Sequence, residues 1–251
     1  MPKTWSDEAI VLKTYNVGET DRFCVLLTKD GGRIAARAQG VRRSLSRNRN
    51  GLLPLHRVHI VCEQHSFGTT ITSVHCIDAY AAAWHDPDSF ARAVQGIELI
   101  LKLIEDGQPV PDVYALLSSY LSACSMPHAL HLPAIFTLKL LSLLGSLPSA
   151  SHSAMSHYPL TPDMPMVLSR AAGGIALRYE DPRGIPVSPA LHQFLIALPS
   201  LDIRNTCPCT PALAADILRM ADYLLGSQLG VSLAAPGVSL AMSSGVTPIC
   251  Q

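Results

Sequence analysis

The chain has 251 residues, 48% of them apolar and 15% charged, with no formal net charge. That length and apolar content suffice for one large domain or two modest ones with a real core, and they exclude a disordered chain. No run of eighteen uncharged apolar residues predicts a membrane span, charged Lys3, Asp7 and Glu8 leave no apolar signal core, and seven cysteines without framework spacing point to a reducing cytoplasm.

The first eighty residues read as β structure. AIVLKTY (9–15) and RFCVLLT (22–28) are short runs rich in branched and aromatic residues, separated by the turn-like NVGET. KDGGR (29–33) is a hairpin signal, because Asp-Gly and Gly-Gly tolerate positive φ. A third strand starts at Arg33. HRVHIVCE (56–63) alternates, with Val58, Ile60 and Cys62 on one face, and TTITSVHCIDAY (69–80) supplies a fifth strand. Five strands in so short a stretch suit a small barrel, which removes sheet edges by closure.

From Ala81 the period changes. Residues 88–107 place Phe90, Val94, Ile97 and Leu101 at helical spacing, behind Pro87 and ahead of Gly107. A second helix is expected over 111–124. A third, over 133–145, is almost wholly apolar and therefore central. Residues 146–165 read as loop, 166–180 as a short hairpin around Ala172-Gly173-Gly174, and two more helices are expected near 188–198 and 211–226. The Ser, Ala, Gly and Pro rich stretch 230–251 predicts a disordered tail. The domains expected are thus 1–80, 81–229 and that tail.

The neutral total hides a polarity. Residues 1–80 hold 11 Lys and Arg against 7 Asp and Glu, whereas residues 81–251 hold 8 against 12. Between Asp30 and Glu63 stand seven arginines and no acid. Read as a strand, RIAARAQ (33–39) turns Ile34, Ala36 and Ala38 inward and Arg33, Arg37 and Gln39 outward. VRRSLSRNRNG (41–51) has almost nothing to bury and predicts an exposed loop carrying Arg42, Arg43, Arg47 and Arg49. Arg57 is expected to extend the surface on the next strand. Guanidinium groups hold phosphate through paired hydrogen bonds, with Ser and Asn adding neutral donors. Such a set predicts nucleic-acid binding through the backbone, with a single-strand log–log salt slope of about −3 to −3.5 for four or five contacts. The alternative is a solvated loop, although solubility loops usually mix charge signs.

These residues resemble a known family. EAIVLKTYNVGETDRFCVLLTKDGGRIAARAQGVRRSLSR (8–47) with GLLPLHRVHIV (51–61) resembles the amino-terminal part of RecO, the bacterial recombination mediator. FTLKLLSLLGSLPS (136–149) and RAAGGIAL (170–177) are similar to later segments of that family. The resemblance implies an α+β multidomain chain, with an amino-terminal five-stranded OB-fold β-barrel followed by a mostly helical domain with a short hairpin. It also implies a nucleoid-associated, non-enzymatic protein of the bacterial cytoplasm. Such a protein binds single- and double-stranded DNA and anneals complementary strands. It also helps load RecA on DNA coated by single-strand-binding protein, with RecR and the acidic carboxy-terminal tail of the coating protein as partners.

Some family members carry a four-cysteine zinc site. The matching places hold His152, Met155, Leu177 and Glu180, so no metal and no cofactor are expected. The family's tail-binding pocket sets basic beside apolar helix residues. Here that pattern reduces to Phe136, Lys139 and Leu140. Two other readings remain open: an RNA-binding barrel protein, since nothing in the barrel face separates DNA from RNA, and a metal-dependent hydrolase using His152, His157, Cys207 and Cys209. Nucleophile-elbow, zincin and P-loop motifs are all missing, which argues against a catalytic centre.

Overall fold

A computed structural model describes residues 3–42, 51–126, 129–205 and 210–229. Arg43, Arg47, Arg49, Cys207, Cys209 and the expected tail 230–251 lie outside the described residues. The chain divides into two compact units, Met1–Pro127 and His128–Ala234.

The first unit opens with five strands: β1 (Lys3–Val17), β2 (Asp21–Thr28), β3 (Gly32–Ala38), β4 (Arg57–His65) and β5 (Gly68–Asp78). They close into a barrel in the order β1-β2-β3-β5-β4. Every seam is antiparallel except β3 with β5, which pair in parallel from Ala36↔Thr69 to Ala38↔Ile71. Strand alternation decides what fills the interior: Ala9 and Val11, Cys24 and Leu26, Ala36 and Ala38, and Val58, Ile60 and Cys62, joined by Val41, Leu52 and Ile71. Each buried branched side chain contributes about 1.5–3 kcal/mol relative to exposure. The β1–β2 register slips between Val11 and Lys13, so Leu12 is an extra residue that bulges the strand.

Three helices follow in the same unit: α1 (Ala81–His85), α2 (Pro87–Leu103) and α3 (Pro111–Ala123). The change of period at Ala81 assigns them to the rear region, yet they are compact with the barrel. The Asp86 carboxylate caps α2 by accepting from the Ser89 N–H at 2.9 Å, and Pro87 opens the first turn. The helix stops at Leu103 rather than at Gly107, because Ile104 turns extended and is buried. Gly96 lets α2 and α3 touch: a Cβ there would lie 2.2 Å from the fully buried Tyr120 ring. Gly32 combines a φ of 74° with a site where a Cβ would meet the Gln108 carbonyl, so β3 can begin hard against the chain that leaves α2.

The second unit centres on α4 (Leu132–Leu143), which is nearly all buried, as its apolar run requires. A sheet in the order β7-β6-β8 is built from β6 (Met166–Ser169), β7 (Gly174–Leu177) and β8 (Ile185–Val187). The expected hairpin is therefore present with a third strand added. Helices α5 (Pro189–Ala197) and α6 (Pro211–Leu229) complete it, and Ser188 caps α5 by accepting from Leu191 N–H. Ser153 Oγ donates to Glu180 Oε2 at 2.6 Å, and the Leu177 N–H donates to the same oxygen at 2.8 Å. This carboxylate thus clips the 150s loop to the hairpin at the place the resemblance gives to zinc. Its pKa lies below the ordinary range, chiefly because the Ser153 and Ser156 hydroxyls bond the charged form.

Candidate nucleic-acid interface

Outward side chains of the barrel fall into rungs. One rung runs Arg57–Ile10–Leu27–Arg33 across β4, β1, β2 and β3. Ile10 and Leu27 point away from the interior and yet are fully buried, so this part of the outer face is covered. The cover comes from the helices of the same unit. Arg33 donates through Nε to Asp106 Oδ1 at 2.5 Å and through Nη1 to the Leu101 carbonyl at 2.6 Å, while the Gly107 N–H donates to the Arg33 carbonyl at 2.8 Å. Arg57 sits beneath α3, with Nη1 3.4 Å from Ser118 Oγ, and Tyr114 donates to Glu8 Oε2 at 3.2 Å.

Beyond the Leu12 bulge the outer face is open. Tyr15, Phe23 and Arg37 stand opposite one another on β1, β2 and β3, and Thr70 continues the rung on β5. Tyr15 is 40% and Phe23 37% exposed, and the Arg37 side chain is 52% exposed. The Lys13 ammonium lies 5.1 Å from the Tyr15 ring centroid, within reach of a cation–π attraction.

Asp21, at the start of β2, organises one end of this face. Its Oδ2 accepts from Arg37 Nε at 2.9 Å and Nη2 at 2.6 Å, and its Oδ1 accepts from the Gly40 N–H at 2.8 Å and the Thr20 hydroxyl at 2.9 Å. Four donors to one carboxylate, the Gly40 N–H foremost and Arg37 next, pull its pKa down to about 2. The bend after β3 is thereby tied to the turn before β2. Arg42 leaves from that bend, exposed, with its N–H on the Thr20 carbonyl at 2.9 Å and Nη1 on the Gly18 carbonyl at 3.0 Å.

Of the seven arginines expected to act together, the four described ones therefore separate. Arg37 and Arg42 share the open end; Arg33 and Arg57 are held under helices and do not extend it. The stretch without acids in sequence is not without acids in space, since Asp21 meets Arg37 and Asp106 meets Arg33. Sequence reading missed Tyr15 and Phe23 as a pair. The signal was available, because a hairpin closing at Val17↔Asp21 puts them opposite.

The expected partner patch is also corrected. Phe136 and Leu140 are fully buried, and Lys139 Nζ donates to the Leu198 carbonyl at 2.8 Å and the Leu201 carbonyl at 2.7 Å. Phe136 and Leu140 thus serve the core of the second unit, and the half-buried Lys139 spends its donors on backbone carbonyls. Among the described residues no group of three or more His, Cys, Asp or Glu side chains could hold a metal ion. Cys24, Cys62 and Cys124 are buried thiols pushed up to about 12 by desolvation, unsuited to act as nucleophiles. No described helix is long and apolar enough to cross a membrane.

A closed five-stranded barrel of OB-fold order, with a mixed open face and a helical continuation, places the chain among OB-fold proteins. Comparison with known proteins narrows this. Residues 1–80 match the family model for the recombination protein O amino terminus and residues 85–235 that for its carboxy terminus. The DNA repair protein RecO of Myxococcus xanthus is 37% identical over 120 residues, covering 47% of this chain and 49% of that protein. That of Heliobacterium modesticaldum is 32% identical over 144 residues, covering 57% and 52%. That of Bifidobacterium longum subsp. infantis is 32% identical over 199 residues, covering 76% and 80%. The matched stretch thus spans about half the length of the first two relatives and four fifths of the third. The chain belongs to the RecO family. Its two family segments meet near residue 80, whereas the compact units divide after Pro127.

Proposed function

We propose that this chain is a DNA-binding recombination mediator that acts in DNA repair without catalysing a covalent step. It holds single- and double-stranded DNA, anneals complementary strands, and assists RecA loading on DNA coated by single-strand-binding protein. RecR and the acidic tail of the coating protein are its partners in this reading.

One observation carries the proposal: the open end of the barrel face, with Arg37 and the exposed Arg42, adjoins the arginine-rich segment that runs on through Arg43, Arg47 and Arg49. Each guanidinium that neutralises a phosphate releases condensed counterions, so affinity falls steeply with salt. Two strands held on one positive surface repel each other less and meet at raised local concentration, which speeds pairing. Arg33 and Arg57 drop out of the binding set and act in folding.

The test is annealing of complementary oligonucleotides coated with the cognate single-strand-binding protein, with and without this chain. Acceleration supports the proposal; an unchanged rate, with DNA binding intact, removes the annealing role. A matched RNA competitor that displaces DNA at equal or lower concentration would favour the RNA-binding alternative.

A further inference from the structure

We infer that Tyr15 and Phe23 form a base-stacking platform for single-stranded DNA, with Lys13 and Arg37 beside them taking the phosphates. The inference rests on the DNA-binding reading above and supplies the contact by which a single strand is told from a duplex.

Three observations lead there. The two rings stand at one register on neighbouring antiparallel strands, both on the open outer face and both more than a third exposed. Adjacent strands lie about 4.8 Å apart, so two rings so placed can receive successive bases. Two aromatics on adjacent strands of an open sheet are the device by which small RNA-binding sheets stack bases. Next, cations flank the rings on both sides. Lys13 lies over Tyr15, and Arg37 is the register partner of Phe23 on β3. Rings alternating with cations match a chain in which bases alternate with phosphates. Last, the covered rung of the same barrel shows what this fold does with outer apolar residues that serve the core: Ile10 and Leu27 are fully buried, whereas Tyr15 and Phe23 keep more than a third of their surface in water. A duplex cannot use this platform, because its base faces are already stacked on their neighbours. The occupant is therefore a single strand.

The rival explanation is that the two rings only brace the β1–β2 hairpin as a cross-strand pair. The full-length double variant Tyr15→Leu/Phe23→Leu keeps apolar bulk on the strands and separates the two. Its binding is measured by anisotropy against an oligo-dT probe, an abasic probe of equal phosphate count, and a duplex. The conservative variant Tyr15→Phe/Phe23→Tyr is measured in parallel. Stacking predicts that the dileucine variant loses about tenfold or more on oligo-dT. It should stay within about twofold of the unsubstituted chain on the abasic and duplex probes and keep its salt slope, because phosphate contacts set that slope. The ring-conserving variant should bind all three like the original.

Unchanged oligo-dT affinity in the dileucine variant overturns the platform while leaving DNA binding in place. Equal loss on all three probes also overturns it, by showing that the rings support the fold or the cations. If the unsubstituted chain binds none of the probes, the DNA-binding reading falls and the platform with it. A second measurement avoids variants altogether. An oligonucleotide carrying 5-iododeoxyuridine, irradiated on the unsubstituted chain and digested with trypsin, should label the peptides TYNVGETDR (14–22) or FCVLLTK (23–29). Adducts confined to other peptides overturn the assignment.

Discussion

Arg33 and Arg37 are four positions apart on one strand, on the same face, and do different things. Arg33 has a side chain 19% exposed and spends its donors on Asp106 and the Leu101 carbonyl; Arg37, 52% exposed, leans on Asp21 at the rim of the open face. Their chemistry is identical, and only what lies above the strand differs. Under α2 and the chain that follows it, a guanidinium is a folding residue, because its donors are taken by the Leu101 carbonyl and the Asp106 carboxylate and tie β3 to the chain that leaves α2. Five residues beyond Arg37, at the exposed Arg42, no described helix covers the guanidinium, and in the proposed reading it meets a phosphate.

That contrast can be broken by experiment, most strongly at the open end. Reversing three charges together, Arg42→Glu, Arg43→Glu and Arg47→Glu, should lower single-strand affinity by about a hundredfold or more at low salt and flatten the salt slope by about 2. Unchanged affinity would leave the arginine segment a solubility device. Arg33→Ala should do the reverse. It removes charge-assisted hydrogen bonds worth roughly 1.5–3 kcal/mol together, lowering stability in denaturant titration, with the salt slope of DNA binding unaltered. A flattened slope in this variant would return Arg33 to the binding set.

Asp21→Asn sharpens the comparison from the other side. The carboxylate pKa is about 2 in the fold and near 3.9 unfolded, so its stabilisation is complete above about pH 4 and is lost as pH falls through about 2. The variant should therefore melt below the original chain at neutral pH, the gap closing only as acid protonates the original carboxylate. Relieved of the competing carboxylate, Arg37 should also hold phosphate more tightly, raising single-strand affinity at low salt. Smallest is Arg57→Met, which keeps the stem packing under α3 and removes a guanidinium whose Nη1 lies 3.4 Å from the Ser118 hydroxyl. A change within about 1 kcal/mol is expected, since a covered charge replaced by an apolar side chain of similar size is often neutral.

Strand alternation made the barrel legible. Val58, Ile60 and Cys62, and Ala36 and Ala38, are inside as the pattern requires. What alternation cannot convey is whether the outward side is covered. It sent Arg33, Arg37 and Arg57 outward correctly, but the helices that cover two of them are encoded far along the chain; Asp106 is 73 residues from Arg33 and Ser118 is 61 from Arg57. The five-residue α1 and the three-residue β8, which contains Pro186, were too short to show a period. The almost wholly apolar run of α4 shows from composition alone that it is buried, whereas the role of Lys139 within it does not show there. Its ammonium caps backbone carbonyls near 200, a tertiary pairing without a local signature.

Barrel closure has a consequence for how this family can vary. The meander β1–β2–β3 and the hairpin β4–β5 that build the sheet are local, whereas the seams joining them, β1 with β4 and β3 with β5, both bridge the stretch between Ala38 and Arg57. Buried Val41 and Leu52 pin that stretch at either end, so a change of length between them leaves both anchors in place. The entropy of closing such a loop rises logarithmically, about 0.6 kcal/mol per doubling of length. Insertions that double this segment, and with it the count of basic residues, should therefore be nearly free to the barrel, which makes this the place where evolution can retune grip without refolding the scaffold.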